Sequence, residues 1–281
     1  MYELFLTAFV EDKDFDAACA VLGGFCAMTP WETLDRVLCF QGPPRPGGIT
    51  NQTSIDKPMR KDAAFLWKDL HQSLSRQSFI LQARYEILKE RDMGPLSPPM
   101  DLDSLPGLLR WTDFPEPPHG RPLITQRKMV EIWEQRRLPS ILRDNHFRFK
   151  TETLEKNYRF FRDEIEFCLT RHYLVRPIED YSPLESRGDD TISPLSGLPA
   201  WDAVTPVDMQ NRWILLVKSH VVQDNKPDEI RKVQDLLLAI RGELEGAFSF
   251  MTIDRKVHDT RISLQQQGIQ ALPQKIKVGK N

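Results

Sequence analysis

The feature that most constrains this chain is two-residue alternation, which recurs in segments spread over its whole length. From Met1 to Val10, Tyr2, Leu4, Leu6, Ala8 and Val10 fall on one face and Glu3, Phe5, Thr7 and Phe9 on the other. Between Gln77 and Leu88, Phe79, Leu81, Ala83, Tyr85 and Ile87 alternate with Ile80, Gln82, Arg84, Glu86 and Leu88. In Arg162–Arg176, Ile165, Phe167, Leu169, Tyr173 and Val175 oppose Glu164, Glu166, Thr170 and His172. At about 3.3 Å per residue this reads as one long strand, suited to a strongly tilted sheet or barrel. Residues 213–222 repeat the pattern through Trp213, Leu215, Val217, Ser219 and Val221. Shorter or weaker strands are expected at 34–40, 108–114, 125–134 and 247–253, and around Phe147–Phe149 and Tyr158–Phe160. Eight or nine half-apolar strands with few helices suit an antiparallel barrel or sandwich. Closure is favoured because it removes exposed edges.

Two stretches switch to helical spacing. Phe15, Cys19, Leu22 and Cys26 form one stripe, with Asp12 or Asp14 expected as N-cap and Thr29-Pro30-Trp31 as the terminating turn. Lys226-Pro227-Asp228-Glu229 opens the other, with Pro near the first position and acids in the first turn. Its buried stripe is Ile230, Val233, Leu237, Ile240 and Leu244. Each helix lies between two strands, one pair at each end of the chain. Residues 1–41 and 212–253 are therefore expected to share one sheet, with their helices covering it. A shorter helix is expected at 60–74, and a helical turn carries Leu138, Ile141 and Leu142.

The 21 prolines cluster where neither ladder nor helix can continue. They mark insertions at about 42–75, 91–107 and 177–210 in a single domain spanning 1–262. The polar, basic tail 263–281 is expected to be disordered. The 177–210 break is long for a compact domain and is read as a mobile or family-specific insertion, with Trp201 as a candidate anchor. Ser97-Pro98, Ser182-Pro183, Ser193-Pro194 and Thr205-Pro206 offer acceptors to a proline-directed kinase, although proline-rich loops generate such pairs by chance.

A net charge of −2 gives no general pull toward nucleic acid or membrane. No RNP-like strand occurs, and no run approaches the roughly 20 apolar residues that span a bilayer. Glu3 and the acidic first helix contradict a secretory leader. Cys19, Cys26, Cys39 and Cys168 form no C-x-x-C pair and are expected to be reduced thiols of a cytosolic or nuclear protein.

Catalytic motifs are absent, and the six histidines are isolated, so no catalytic residue, cofactor set or metal set is nominated. One pattern bears on chemistry. Glu164 and Glu166, two apart on a strand, point to the same face, and a divalent ion needs several converging oxygens. A second such pair on another strand is missing, since Glu243 and Glu245 sit on a helix and diverge. The pair is therefore read as a solvated strand edge. The second helix is also too apolar for one stripe: Leu238 lies off its core face and needs cover from loop 177–210 or from a partner chain. Trp111 and Phe114, between two proline breaks, pose the same question. These three are the candidate partner-binding residues.

The opening stretch resembles the family of subunit 18 of the Mediator complex, a coactivator of the head module. The matching text is Leu4-Phe5-Leu6, Cys19 to Leu22, Gly24-Phe25-Cys26 and Met28-Thr29-Pro30-Trp31-Glu32-Thr33. Residues 108–118, 138–149, 212–244 and 248–256 are looser matches, and the proline-rich insertions look like those of fungal members. The resemblance covers roughly two-thirds of the chain and implies an eight-stranded, partly open antiparallel barrel with helices against it. That barrel would be similar to the tunnel RNA triphosphatases but without their metal ligands. It implies a nuclear, non-catalytic subunit forming a heterodimer with Mediator subunit 20, tethered by the C-terminal helix of subunit 8. Through the other head subunits it would act on RNA polymerase II, with no direct nucleic-acid contact. The competing class is a metal-dependent RNA 5′-triphosphatase or polyphosphatase using Glu164 and Glu166 in the lumen.

Overall fold

Eight antiparallel strands pair edge to edge until the last meets the first. The computed structural model describes residues 1–57, 59–118, 120, 123–176, 193–222 and 227–262. In chain order the elements are β1 (Tyr2–Val10), α1 (Phe15–Cys26), β2 (Trp31–Gln41), α2 (Lys61–Leu74), β3 (Ile80–Glu86), α3 (Lys89–Asp92) and β4 (Gly107–Thr112). There follow β5 (Thr125–Gln135), α4 (Leu138–Asp144), β6 (Arg148–Arg162), β7 (Ile165–Leu174), β8 (Thr205–Pro206), β9 (Trp213–Val221), α5 (Pro227–Glu243) and β10 (Phe250–Met251). The ring runs β1-β5-β4-β3-β2-β6-β7-β9 and back to β1, with β8 and β10 as two-residue additions. Strand β9 closes it. It pairs with β1 from Tyr2↔Val221 to Val10↔Trp213, and with β7 from Glu166↔Lys218 to Thr170↔Ile214. The ring is thus complete where the resemblance implied a partly open one, and segments 1–41 and 212–253 share its sheet through the pairing of β1 with β9 and β10, as their shared pattern predicted.

The apolar core lies outside the ring. Leu4, Leu6 and Ala8 of β1 point outward to meet Ala18 and Leu22 of α1 and Leu237, Ile240 and Leu244 near the end of the chain. On the opposite wall, Trp67, Leu70 and Leu74 of α2 and Ile141 and Leu142 of α4 cover Leu38, Leu81 and Leu109. Each helix offers one apolar stripe, and each leucine so covered contributes about 1.5–3 kcal/mol. The other strand phase faces inward, and in β1 it consists of Glu3, Phe5, Thr7 and Phe9.

Two local expectations are corrected. Neither Asp12 nor Asp14 caps α1: Asp14 holds the cap position without a side-chain hydrogen bond. Asp12 instead accepts from Trp213 Nε1 at 3.1 Å and Arg171 at 2.6 Å, because a charge-assisted bond to a buried guanidinium is stronger than a cap. The run Arg162–Arg176 is not one strand. Arg162 ends β6 and pairs with Ile165 at the start of β7, across a hairpin in which Asp163 takes a φ of 54°.

The insertions are built onto the wall as far as they are described. Asn145 Oδ1 accepts the amides of Thr50 and Asn51, both at 2.8 Å, while Ile49 and Ile55 are buried. The Asp103 carboxylate accepts from the Ser140 amide and hydroxyl in the first turn of α4. Residues 193–206 lie over Leu34, Leu154 and Tyr173, and Trp201 packs on Tyr173 at 4.8 Å. Residues 177–192, with Ser182, and the tail 263–281 fall outside the described residues.

Candidate functional site

The inward strand phase encloses a lumen of about 1010 Å³. Its walls are charged. Glu3, only 2% exposed, accepts from Arg110 at 2.9 Å and from Arg127 at 2.7 Å. Arg110 also binds Glu131 at 2.9 Å. Arg84 bridges Asp35 and Glu155, while Lys218 and Arg159 approach Glu166 at 3.2 and 3.7 Å. Each of these carboxylates comes from one strand and its guanidinium or ammonium from another, so the pairs cross-link the ring from within.

Burial and charge oppose one another here. Desolvation works against ionisation of Glu3, but Arg127 and Arg110 outweigh it and hold its carboxyl well below the usual glutamate range. Glu155 is likewise lowered, its burial overcome by Arg84 and by His172. Asp35 goes the other way: burial raises it, and the Arg84 it shares with Glu155 does not compensate. His258, edge-on to Phe5 at 5.5 Å, is pushed down to about 4 by burial and by Arg127. Burial also raises the Cys168 thiol to about 12. That lumen thiol is poorly nucleophilic.

This arrangement binds its own charges. A divalent cation needs carboxylates free to converge, and an anion needs cations free to donate. In this lumen Glu3, Asp35, Glu131, Glu155 and Glu166 each lie within ion-pair distance of an arginine or lysine, although Glu166 Oε1 accepts no hydrogen bond. Among the described residues no three His, Cys, Asp or Glu side chains lie together as a metal set.

The nominated residues are scattered. Glu166 enters the lumen, but Glu164 sits exposed at the β6–β7 hairpin tip, so the two do not form one carboxylate site. The cause is the hairpin: alternation continues across it in the sequence while the chain reverses. Trp111 is only 4% exposed and packs edge-on against Phe79 at 5.3 Å, within the core rather than on a surface. Phe114 is half-buried between the guanidinium groups of Arg255 and Arg261, at 4.4 and 3.9 Å. Leu238, on α5, is half-buried against the core over β1 and β9. The described part of the 177–210 insertion packs on a different cluster. Sequence reasoning missed the lumen network. Its signal was present as charges in the phase opposite the apolar one: Glu3 beside Leu4, Arg84 between Ala83 and Tyr85, and Arg110 between Leu109 and Trp111.

With this geometry in hand, comparison with known proteins gives one consistent answer. The model of the Med18 protein family matches residues 2–261. The chain belongs to that family. A curated relative, Mediator of RNA polymerase II transcription subunit 18 from Aspergillus fumigatus, is 26% identical over 286 residues, covering 93% of this chain and 99% of the relative. A chain in the structure of the Schizosaccharomyces pombe Mediator head module aligns with a TM-score of 0.58. That alignment covers 90% of this chain and 99% of the other at 13% identity. At that identity it speaks for the fold. The closed, helix-covered barrel is therefore a Med18-family architecture, and its lumen of mutually neutralised charges is the family fold as this sequence fills it.

Proposed function

We propose that this chain is a non-catalytic subunit of the Mediator head module and acts as a scaffold in RNA polymerase II transcription. The observation that carries the reading is the family match over residues 2–261, on a barrel that aligns with a head-module chain over nine-tenths of its length. The lumen supports it: the carboxylates a tunnel hydrolase would need for a metal are tied to arginines and a lysine, and Glu164 is outside. In this reading the barrel is a rigid block whose outer surfaces meet other subunits. Its nearest partners are Mediator subunit 20, as a heterodimer, and the C-terminal helix of subunit 8, with RNA polymerase II reached through the assembled complex in the nucleus. Leu238, half-exposed on α5, is a candidate contact for a partner helix.

Co-expression with subunits 20 and 8 tests the reading. The expected result is one ternary species on size exclusion; recovery of this chain as a free monomer beside the other two would sink it. A companion assay with tripolyphosphate and Mg²⁺ or Mn²⁺ should show no phosphate release. Release that disappears in Glu166→Ala would revive the enzyme.

A further inference from the structure

At the end of the barrel where β2 begins and β6 turns into β7, the lumen-facing phase of the strands emerges into solvent and becomes aromatic. Trp31 continues the phase of Thr33 and Asp35, and Phe161 continues that of Asn157 and Arg159. Trp31 is 56% exposed and Phe161 is 39% exposed, with ring centroids 6.5 Å apart. Met28 Sδ accepts the Phe161 amide at 3.0 Å and fixes that edge of the patch. A tryptophan and a phenylalanine held together in water contribute little to folding, whereas exposed aromatic pairs on a rigid frame serve as anchors for a partner.

The charge around the pair is one-sided. Arg159, behind Trp31, faces Glu166 and Asp35. Arg162 pairs with Glu243 at 3.0 Å and stacks over Phe25 at 4.3 Å. Both nearby guanidinium groups are thus engaged. Asp163 and Glu164, two and three residues beyond Phe161, are exposed at the hairpin tip and make no ion pair among the described residues. The patch is aromatic with two uncompensated carboxylates, and an acidic partner would be repelled from it.

We infer that this corner docks a segment of a partner polypeptide carrying an apolar side chain for Trp31 and Phe161 and a lysine or arginine for Asp163 and Glu164. The aromatic pair supplies the desolvated centre, and the carboxylates at its rim select the sign of the partner. Glu164, read from alternation as part of a solvated strand edge, thus serves recognition. The inference rests on the head-subunit reading only for the choice of companions in its first test.

In that test, a photoreactive benzoylphenylalanine replaces Phe161 in the full chain co-expressed with subunits 20 and 8, and the cross-linked peptide is mapped by mass spectrometry. The expected product joins position 161 to one segment with a lysine or arginine within a few residues. Its yield should fall at least about 10-fold in Glu164→Lys and stay unchanged in Trp133→Ala, an exposed tryptophan elsewhere on the rim. A complex that assembles without this cross-link, or links to a segment lacking basic residues, overturns the inference while leaving the head-subunit reading intact. If no complex assembles, the head-subunit reading fails, and a second arm decides on the chain alone. A labelled peptide alternating leucine and lysine should bind more tightly than its leucine–glutamate counterpart. Binding of the leucine–lysine peptide should drop at least about 10-fold in Trp31→Ala, and its preference over the leucine–glutamate peptide should be lost in Glu164→Lys. Equal binding of the two peptides, or indifference to both substitutions, overturns the inference.

Discussion

Replacing Glu3 with glutamine removes one negative charge from the middle of the lumen and changes almost nothing else. The carboxylate is 2% exposed and is held by Arg110 at 2.9 Å and Arg127 at 2.7 Å. Breaking a buried ion pair costs about 3–5 kcal/mol, because the abandoned partner stays desolvated. Two features put this case at the lower end. Arg110 keeps Glu131 at 2.9 Å, and the glutamine oxygen still accepts a hydrogen bond. The expected loss is about 3 kcal/mol, read as a lower urea midpoint at unchanged slope. For a domain of this size that corresponds to roughly 6–12 °C in melting temperature. The pH dependence fixes the sign. The folded Glu3 pKa lies below the ordinary value of 4.5, so the native protein carries the full contribution above that pH. It loses the contribution as pH falls through the depressed value, while Glu3→Gln has none to lose. The stability gap should therefore be full at pH 7 and narrow below pH 4.5. A loss under about 0.5 kcal/mol, within the usual effect of a surface substitution, or a gap that does not narrow in acid, would refute the claim that paired charges brace the barrel from inside.

Trp111→Ala should destabilise the chain by about 3–5 kcal/mol through a core cavity, leaving partner binding by the folded fraction unchanged; a mild loss with abolished binding would return Trp111 to the surface. Leu238→Asp should cost only about 1 kcal/mol of stability, since the side chain is half-buried, while weakening the complex with subunits 20 and 8. Unaltered assembly would remove Leu238 as a contact. Ala27 ends α1 with a φ of 53°, a conformation glycine adopts more readily, so Ala27→Gly should raise the urea midpoint by the equivalent of about 0.5–1 kcal/mol. An unchanged or lowered midpoint would contradict that.

Strand alternation carried most of the architecture because the outer face of the barrel strands is buried under helices and, over Leu34, Leu154 and Tyr173, under residues 193–206. It made Leu4, Leu81, Phe167 and Leu215 legible as one kind of residue, and each is fully buried. It left unsaid what the other face meets, since a period of two is the same whether Glu3 looks into water or into a lumen. Burial of Glu3 depends on ring closure by β9, more than two hundred residues away. The same distance hid the fate of Asp12, whose local role as a cap was plausible until Trp213 and Arg171 claimed it. Glu164 and Glu166 were misplaced for a different reason. A hairpin of two residues does not interrupt alternation, so the reversal at Asp163 left no trace in the hydrophobic pattern. Trp111 illustrates the limit for aromatic residues, which serve cores and interfaces equally well; only packing against Phe79 separates the two. The family resemblance rested on the opening strand–helix–strand, and the family match extends it over residues 2–261.

The central claim is membership of a Mediator head assembly, and the most direct measurement is quantitative mass spectrometry of the tagged, full-length chain purified from nuclear extract. The account predicts head-module subunits recovered in near-stoichiometric amounts, with RNA polymerase II at a lower ratio. Recovery of the chain free of every head subunit, from extract in which the rest of the head is intact, would contradict it.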